Sequence, residues 1–289
     1  MYQFAMIGNK YNIPRIAVIN GIIIGGGISM TSFFEQKVGT ETTSYFMPEN
    51  LVGLFPDSAF AFNCERIFEK ENEDSTKNEN TDPTFKNLGF FLALTGHKLS
   101  GIENYLTNTM TTMCLSKNAE KLTKILESDN LSFSKIESEI LHDFHFEFEK
   151  SRFYSESTHF LDNFREISEC FEVEESTTIL EIIEKLKYSD SDSNSFSNKI
   201  YKNCLKPACP TSLEITLKLF KLAKQNRQKD SLQALHDQFN LEFGIVEKCT
   251  QNRDFLEGCE GLLLKKRPVW DEVDYENVER YFGGSDWKF

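Results

Sequence analysis

Residues 14–27 read Pro14-Arg15-Ile16-Ala17-Val18-Ile19-Asn20-Gly21-Ile22-Ile23-Ile24-Gly25-Gly26-Gly27. Two short apolar runs, rich in β-branched residues and divided by Gly21, end in a glycine triplet, the pattern of strand followed by tight turn. Past the triplet, Ile28, Met30, Thr31 and Phe34 keep an apolar face at helical spacing. The spacing predicts a helix opened by the glycines and running to Val38, with Gly39 as its C′ residue. Backbone N–H groups at such a helix N-terminus stabilise the negative oxygen that develops when a carbonyl is attacked, and glycines let a ligand approach them. The plain alternative is that Gly25, Gly26 and Gly27 form only a tight strand-to-helix turn, which a glycine triplet by itself already accounts for, and both readings stay open on the residues alone.

Outward from this stretch, Ser44 to Met47 is strand-like and ends in Pro48-Glu49, after which Leu51-Val52-Gly53-Leu54-Phe55 leads to Pro56-Asp57. Glu49 and Asp57 each sit in apolar sequence, where a carboxylate is costly unless it is paired or functional. Such acids serve as general base or nucleophile. The plain alternative is that Glu49 caps the turn after Pro48 and Asp57 caps a helix starting at Ser58.

The tract from Glu65 to Pro83 is polar and acidic and predicts a solvated insertion. Asn87 to Thr95 then reads as an apolar helix closed by Gly96. From Ser116 to about Lys187 the pattern is helical, rich in Glu and Phe and without a motif, and Ser189 to Ser195 reads as a second solvated loop. Thr211 with Glu214 forms a capping box after Pro210, ahead of a stripe of Leu213, Ile215, Leu217, Leu219, Phe220 and Leu222. Leu232, Leu235, Phe239, Phe243 and Val246 repeat at steps of three and four, and Phe255, Leu262, Leu263 and Leu264 extend the pattern, so these helices must pack on something.

The 289 residues, 39% hydrophobic and 13% aromatic, suffice for a buried core. A net charge of -13, from 32 Lys+Arg against 45 Asp+Glu, argues against a binder of phosphate backbones, so nucleic acid is not an expected partner. Seven scattered cysteines without a Cys-x-x-Cys pair predict neither a disulfide framework nor a zinc site, and Cys204 and Cys209 read as ordinary thiols. No run approaches the length of a membrane span, and Met1 to Tyr11 has the plan of neither a secretory signal nor a transit peptide. His142 and His145 flank Asp143 at a metal-like spacing, but a solvated helix face accounts for them. The Asn130-Leu131-Ser132 sequon bears only on a secreted protein.

The residues quoted from Pro14 to Gly27, then Met47-Pro48-Glu49 and Gly53-Leu54-Phe55-Pro56-Asp57, together resemble the core signature of the 3-hydroxyisobutyryl-CoA hydrolases of the crotonase superfamily. The resemblance continues in Phe91-Leu92-Ala93-Leu94-Thr95-Gly96, in Cys209-Pro210-Thr211-Ser212-Leu213-Glu214-Ile215-Thr216-Leu217, and in Arg253-Asp254-Phe255-Leu256-Glu257-Gly258. It implies an α/β fold, a crotonase-like spiral of ββα units followed by a helical C-terminal region. It implies hydrolysis of a small-molecule acyl-CoA thioester, 3-hydroxyisobutyryl-CoA, in valine breakdown, with no metal or redox cofactor. The roles carried over are Gly26, between Gly25 and Gly27, as oxyanion donor, Glu49 as the attacking or water-activating carboxylate, and Asp57 as the group that orients substrate hydroxyl or water. A mostly mitochondrial setting is also implied, and a homo-oligomer is left open.

Two departures qualify the resemblance. The family carries, ahead of the position of Met1, strands and a loop with a second oxyanion donor, so the spiral is expected to be incomplete at its N-terminus. After Asp57 the family has a run of glycines where this chain has Ser58-Ala59-Phe60-Ala61-Phe62, and Phe60 is expected to narrow the acyl pocket. The rival readings are an enoyl-CoA hydratase or isomerase and an inactive CoA-binding or assembly paralogue. The expected organisation is a core over 1–115 with the insertion at 65–83, a variable helical region over 116–200 and a C-terminal helical region over 201–289.

Overall fold

The first two strands fall on the two apolar runs, β1 at Ile16–Val18 and β2 at Ile22–Ile24, and the glycine triplet opens helix α1, Gly26–Thr31. The computed structural model describes residues 13–68, 87–128, 131–154, 159–188, 194–226, 231–273 and 275–283. Helix α1 is shorter than its spacing predicts. The Thr31 hydroxyl donates back to the Gly27 and Ile28 carbonyls and the Ser32 hydroxyl to that of Ser29, contacts that compete with continued helix. Residues predicted as its second half instead form strand β3, Gln36–Gly39, in which Val38 is fully buried. The parallel pairing of β3 with β1, Val18 opposite Val38, overrides the local helical spacing.

Strand β4, Ser44–Phe46, pairs in parallel with β2, bringing Ile24 opposite Phe46. Alternate strands thus go to alternate sheets. One sheet runs β1-β3-β6, with β6 at Thr112–Met113, and the other runs β2-β4-β5, with β5 at Leu99–Ser100. Each winding of the chain contributes one strand to each sheet, which is the spiral plan expected from the sequence.

Helix α2, Phe60–Phe68, follows Asp57, so the chain is still helical over the first residues of the predicted acidic insertion; the rest of that insertion, from residue 69, lies outside the described residues. Most of the Ser189–Ser195 tract, and Asn130 of the sequon, also lie outside them. Helix α3, Leu88–Thr95, is buried along its whole length, as an all-apolar helix must be. Its residues centre the main core, with Ile28, Met47, Phe60, Phe164, Phe171, Leu213 and Leu217 around them. Gly96 ends it in the left-handed conformation, φ 62°, as predicted.

Helical segments fill the rest: α4 Glu103–Leu106, α5 Ala119–Leu126, α6 His142–Glu149, α7 Phe160–Ile167, α8 Ile179–Tyr188 and α9 Phe196–Ile200. Then come α10 Pro210–Asn226, α11 Ser231–Gln251, α12 Arg253–Leu264 and α13 Tyr275–Tyr281. Helix α10 begins at Pro210, one residue ahead of the predicted cap Thr211; a proline is suited to a first helical position, where its missing N–H costs nothing. A second core joins Phe55 and Ala61 to Ile215, Leu219, Ile245, Cys249 and Tyr281, so α10, α11 and α13 pack over the segment that carries Asp57. Leu262, Leu263 and Leu264 do not share that burial: they stand exposed at the end of α12.

Candidate active site

The register of β2 on β4 brings the glycine turn to Glu49. Gly25 N–H donates to the Phe46 carbonyl at 3.4 Å, and three residues beyond Phe46 the 3-10 turn Glu49–Leu51 begins. That turn is closed by Leu51 N–H to Pro48 O at 2.8 Å and by Val52 and Leu54 N–H to Glu49 O. Gly25 has φ 53°, and a Cβ placed on it would stand 2.6 Å from Glu49 Oε1. The Glu49 carboxyl therefore lies directly over the glycine turn. Gly26 and Gly27 are the first two residues of α1, positions whose N–H groups have no acceptor within a helix.

Glu49 is half-buried, yet its Oε2 is sealed from solvent and has no hydrogen-bond partner among the described residues. Burial disfavours the charged form and pushes the carboxyl up to about 7; its own backbone N–H opposes the rise, and the negative charge of Asp57 adds to it. A carboxyl poised there exchanges a proton near neutrality, which suits a general base or an activated nucleophile.

Asp57 stands at the turn into α2, but it does not cap a helix at Ser58. Ser58 and Ala59 both adopt φ 60°, the left-handed region, and α2 starts only at Phe60. The Ser58 hydroxyl donates to Asp57 Oδ1 at 3.1 Å, and the Ser29 hydroxyl, on α1, donates to the Asp57 carbonyl at 2.8 Å. From α11, Glu242 accepts the Ala59 N–H on Oε2 at 2.7 Å and the Gln238 side-chain amide on Oε1 at 2.8 Å. Glu242 is fully buried; burial pushes its carboxyl up to about 8, against the pull of its hydrogen bonds from the Gln238 side chain and the Ala59 and Ser58 backbone, and the Asp57 charge adds to the rise. The Asp57 charge thus acts on both the Glu49 and the Glu242 carboxyls. Phe60 does not stand in an open acyl pocket: its ring is fully buried in the main core, because the strained turn directs it inward.

The other sequence segments converge on the Glu49 turn. Asn50, 2% exposed, donates to the Ala93 and Leu94 carbonyls at the end of α3 and accepts the Thr216 hydroxyl from α10 at 3.0 Å, while its carbonyl accepts Cys209 N–H. A Cβ on Gly96 would stand 2.9 Å from the Met47 carbonyl. On the far side of the turn, Val52-Gly53 lies flat against the first turns of α12: a Cβ on Gly53 would meet the Asp254 carbonyl at 2.7 Å, and one on Gly258 the Val52 backbone at 2.5 Å.

A family model for enoyl-CoA hydratase/isomerase matches residues 1–282. The chain belongs to that family. Among curated proteins, this family member is 30% identical to the mitochondrial 3-hydroxyisobutyryl-CoA hydrolase of Homo sapiens, a match covering 96% of this chain and 66% of that protein. It is 29% identical to the enzyme of the same name from Dictyostelium discoideum, over 93% of this chain and 64% of that one. The chain thus spans just under two thirds of the length of these relatives. Its fold is that of a carnitinyl-CoA dehydratase from Mycobacterium thermoresistibile, with TM-score 0.67 and 19% identity over 99% of this chain and 74% of that one. An enoyl-CoA hydratase from Rhodobacter sphaeroides 2.4.1 matches with TM-score 0.65 and 17% identity, over 97% and 72%. The expected crotonase-like α/β fold is the fold observed.

Within this family member the structure gathers the glycine turn, Glu49 and Asp57, the residues singled out in the sequence. It leaves His142 and His145 apart: His142 is exposed, and His145 Nδ1 accepts the Met113 N–H at 3.2 Å. Among the described residues no group of three or more His, Cys, Asp or Glu is placed to hold a metal ion. Burial pushes the Cys204 and Cys209 thiols up to about 11, which keeps them unreactive. Sequence reasoning missed Asn50 and Glu242. Glu242 had a signal: it interrupts the apolar stripe Leu235, Phe239, Val246 of α11 at helical spacing, where a solvated carboxylate is not expected.

Proposed function

We propose that the chain forms the catalytic part of an acyl-CoA thioester hydrolase acting on 3-hydroxyisobutyryl-CoA. The observation that carries this reading is the Glu49 carboxyl, held over the Gly25 turn with a sealed, unpartnered oxygen and a pKa raised to about 7. A thioester carbonyl seated above Gly26 directs its oxygen at the first N–H groups of α1, which take up the negative charge as the carbonyl carbon becomes tetrahedral. In the base route Glu49 takes a proton from water, the water oxygen bonds to the carbonyl carbon, and collapse breaks the C–S bond. In the nucleophile route a Glu49 oxygen bonds to the carbonyl carbon, collapse breaks the C–S bond and expels the coenzyme A thiolate to leave an anhydride on Glu49, and water then cleaves that anhydride to restore the Glu49 carboxylate. Either way the products are the free acid and coenzyme A, whose thiolate takes up a proton, and no metal or redox group takes part.

Asp57, beside Glu49 and raising its pKa, is assigned to orient the water or the substrate hydroxyl. The relatives named 3-hydroxyisobutyryl-CoA hydrolase support the acyl group, and their mitochondrial names support a mitochondrial setting. The organisation proposed is the core over 1–115 with helical regions over 116–200 and 201–289.

The test is release of free thiol from 3-hydroxyisobutyryl-CoA by the full-length protein, compared with its Glu49→Gln variant. Turnover that vanishes in Glu49→Gln while coenzyme A binding persists supports the assignment. Loss of 2-enoyl-CoA absorbance without thiol release would assign a hydratase instead, and binding without either reaction would assign a non-catalytic paralogue.

A further inference from the structure

Glu242 lies 183 residues beyond Ala59 in the sequence, yet its carboxyl oxygen receives the Ala59 amide at 2.7 Å inside a fully buried contact. The turn it grips is unfavourable by itself. Ser58 and Ala59 are consecutive residues with side chains at φ 60°, and each costs about 1–2 kcal/mol there relative to ordinary backbone. Such a conformation persists only where its surroundings impose it. Two contacts do so. Ser29, on the helix that opens at the glycine triplet, holds the Asp57 carbonyl, and Glu242, on α11, holds the amide two residues later. Phe33 and Phe239 pack with Ala59 and Leu235 around the same turn. The Asp57 main chain is therefore fixed from both sides, by the oxyanion helix and by the C-terminal helical layer.

Glu242 is also an expensive choice for its place. It occupies the apolar face of α11, where leucine would pack without the cost of burying a carboxyl but would leave the Ala59 amide with no acceptor. Both of its oxygens are engaged, one by the turn and one by Gln238, so its rotamer is fixed as well as its position.

We propose that Glu242 is a positioning residue for Asp57: by accepting the Ala59 amide it holds the left-handed Ser58–Ala59 turn and thereby fixes where the Asp57 carboxyl stands relative to Glu49. This rests on the hydrolase reading for its catalytic consequence, and on the turn geometry alone for its structural one.

The experiment has two arms. In the first, kcat and KM for thiol release are measured for the wild type, Glu242→Ala, Asp57→Asn and the double variant. Glu242→Ala is expected to lower kcat by about 100-fold with KM changed by less than about threefold, and to add nothing further in the Asp57→Asn background. An equal loss in both backgrounds, or an unchanged kcat in the folded Glu242→Ala protein, overturns the proposal. In the second arm, hydrogen exchange of the Ala59 amide is followed by NMR in the wild type and in Glu242→Gln, a variant close in shape that keeps one acceptor oxygen. Protection at Ala59 is expected in both, with Glu242→Gln retaining kcat within about tenfold and Glu242→Ala or Glu242→Leu losing that protection. Fast exchange at Ala59 in the wild type, or protection untouched by Glu242→Leu, overturns the clamp. A wild type that protects Ala59 but releases no thiol refutes the hydrolase reading and leaves the clamp supported.

Discussion

Gly25 and Glu49 occupy one volume: the glycine has no side chain where the carboxylate oxygen of Glu49 lies, 2.6 Å from the position a Cβ would take. The same glycine has φ 53°, so any other residue would be strained as well as obstructed. Gly25→Ala is expected to push the Glu49 carboxyl off the turn and to abolish thiol release, by more than about 100-fold in kcat. The strain should also lower stability by about 1–3 kcal/mol. Kinetics together with urea denaturation check this; an alanine variant with wild-type kcat would show that the carboxyl does not need that place.

Glu49 is raised to about 7 because burial penalises its charge and Asp57 adds repulsion. Acting as base or nucleophile, it must be deprotonated, so kcat/KM should rise with pH and level off above an inflection near 7. Asp57→Asn removes the negative neighbour, and the inflection should move to lower pH. A profile flat from pH 5 to 8 would remove Glu49 from the role.

The strand–glycine–helix start and the positions of Glu49 and Asp57 were legible because each is a local pattern: β-branched runs, Gly25 to Gly27, and acids isolated in apolar sequence. The end of α1 was not. Ile28, Thr31 and Phe34 carry helical spacing, and only the pairing of Val38 with Val18, a contact made at a distance, tells that the chain is already a strand. The same limit hid Asn50, whose side-chain amide is satisfied by residues from α3 and α10 that no local window includes. Glu242 was visible as a break in an apolar stripe, but its target, the Ala59 amide, is a property of the folded backbone. The Ser58–Ala59 turn was half legible: the departure from glycine was seen, while its consequence fell on backbone strain and not on the Phe60 ring.

The seam between the Glu49 turn and α12 makes a prediction of stability. Gly53, φ 73°, faces the Asp254 carbonyl, and Gly258 faces the Val52 backbone, so neither contact can yield by turning a side chain. Gly53→Ala and Gly258→Ala are each expected to destabilise by about 2–4 kcal/mol, read as a lower denaturation midpoint with unchanged slope. Because both open the same seam, the double variant should lose less than the sum. Full additivity would mean that the two glycines act on separate contacts.

Glu242 gives a pH dependence whose sign follows from its burial. Its carboxyl titrates near 4.5 when the chain is unfolded and is pushed up to about 8 in the folded protein. Between those values the folded state binds the proton and the unfolded state has lost it, so stability falls as pH rises from about 4.5 and the loss is complete above about 8. The penalty is on the order of a few kcal/mol. Glu242→Gln has no proton to lose and keeps an acceptor for the Ala59 amide. Its denaturation free energy should therefore decline less between pH 5 and 8 than that of the wild type, and the two curves should draw closest at the acid end, where the wild-type carboxyl is neutral in the fold and least of the proton-linked loss has accrued. Parallel curves across that range would mean that Glu242 stays ionised in the fold, with the Gln238 and Ala59 hydrogen bonds outweighing its burial.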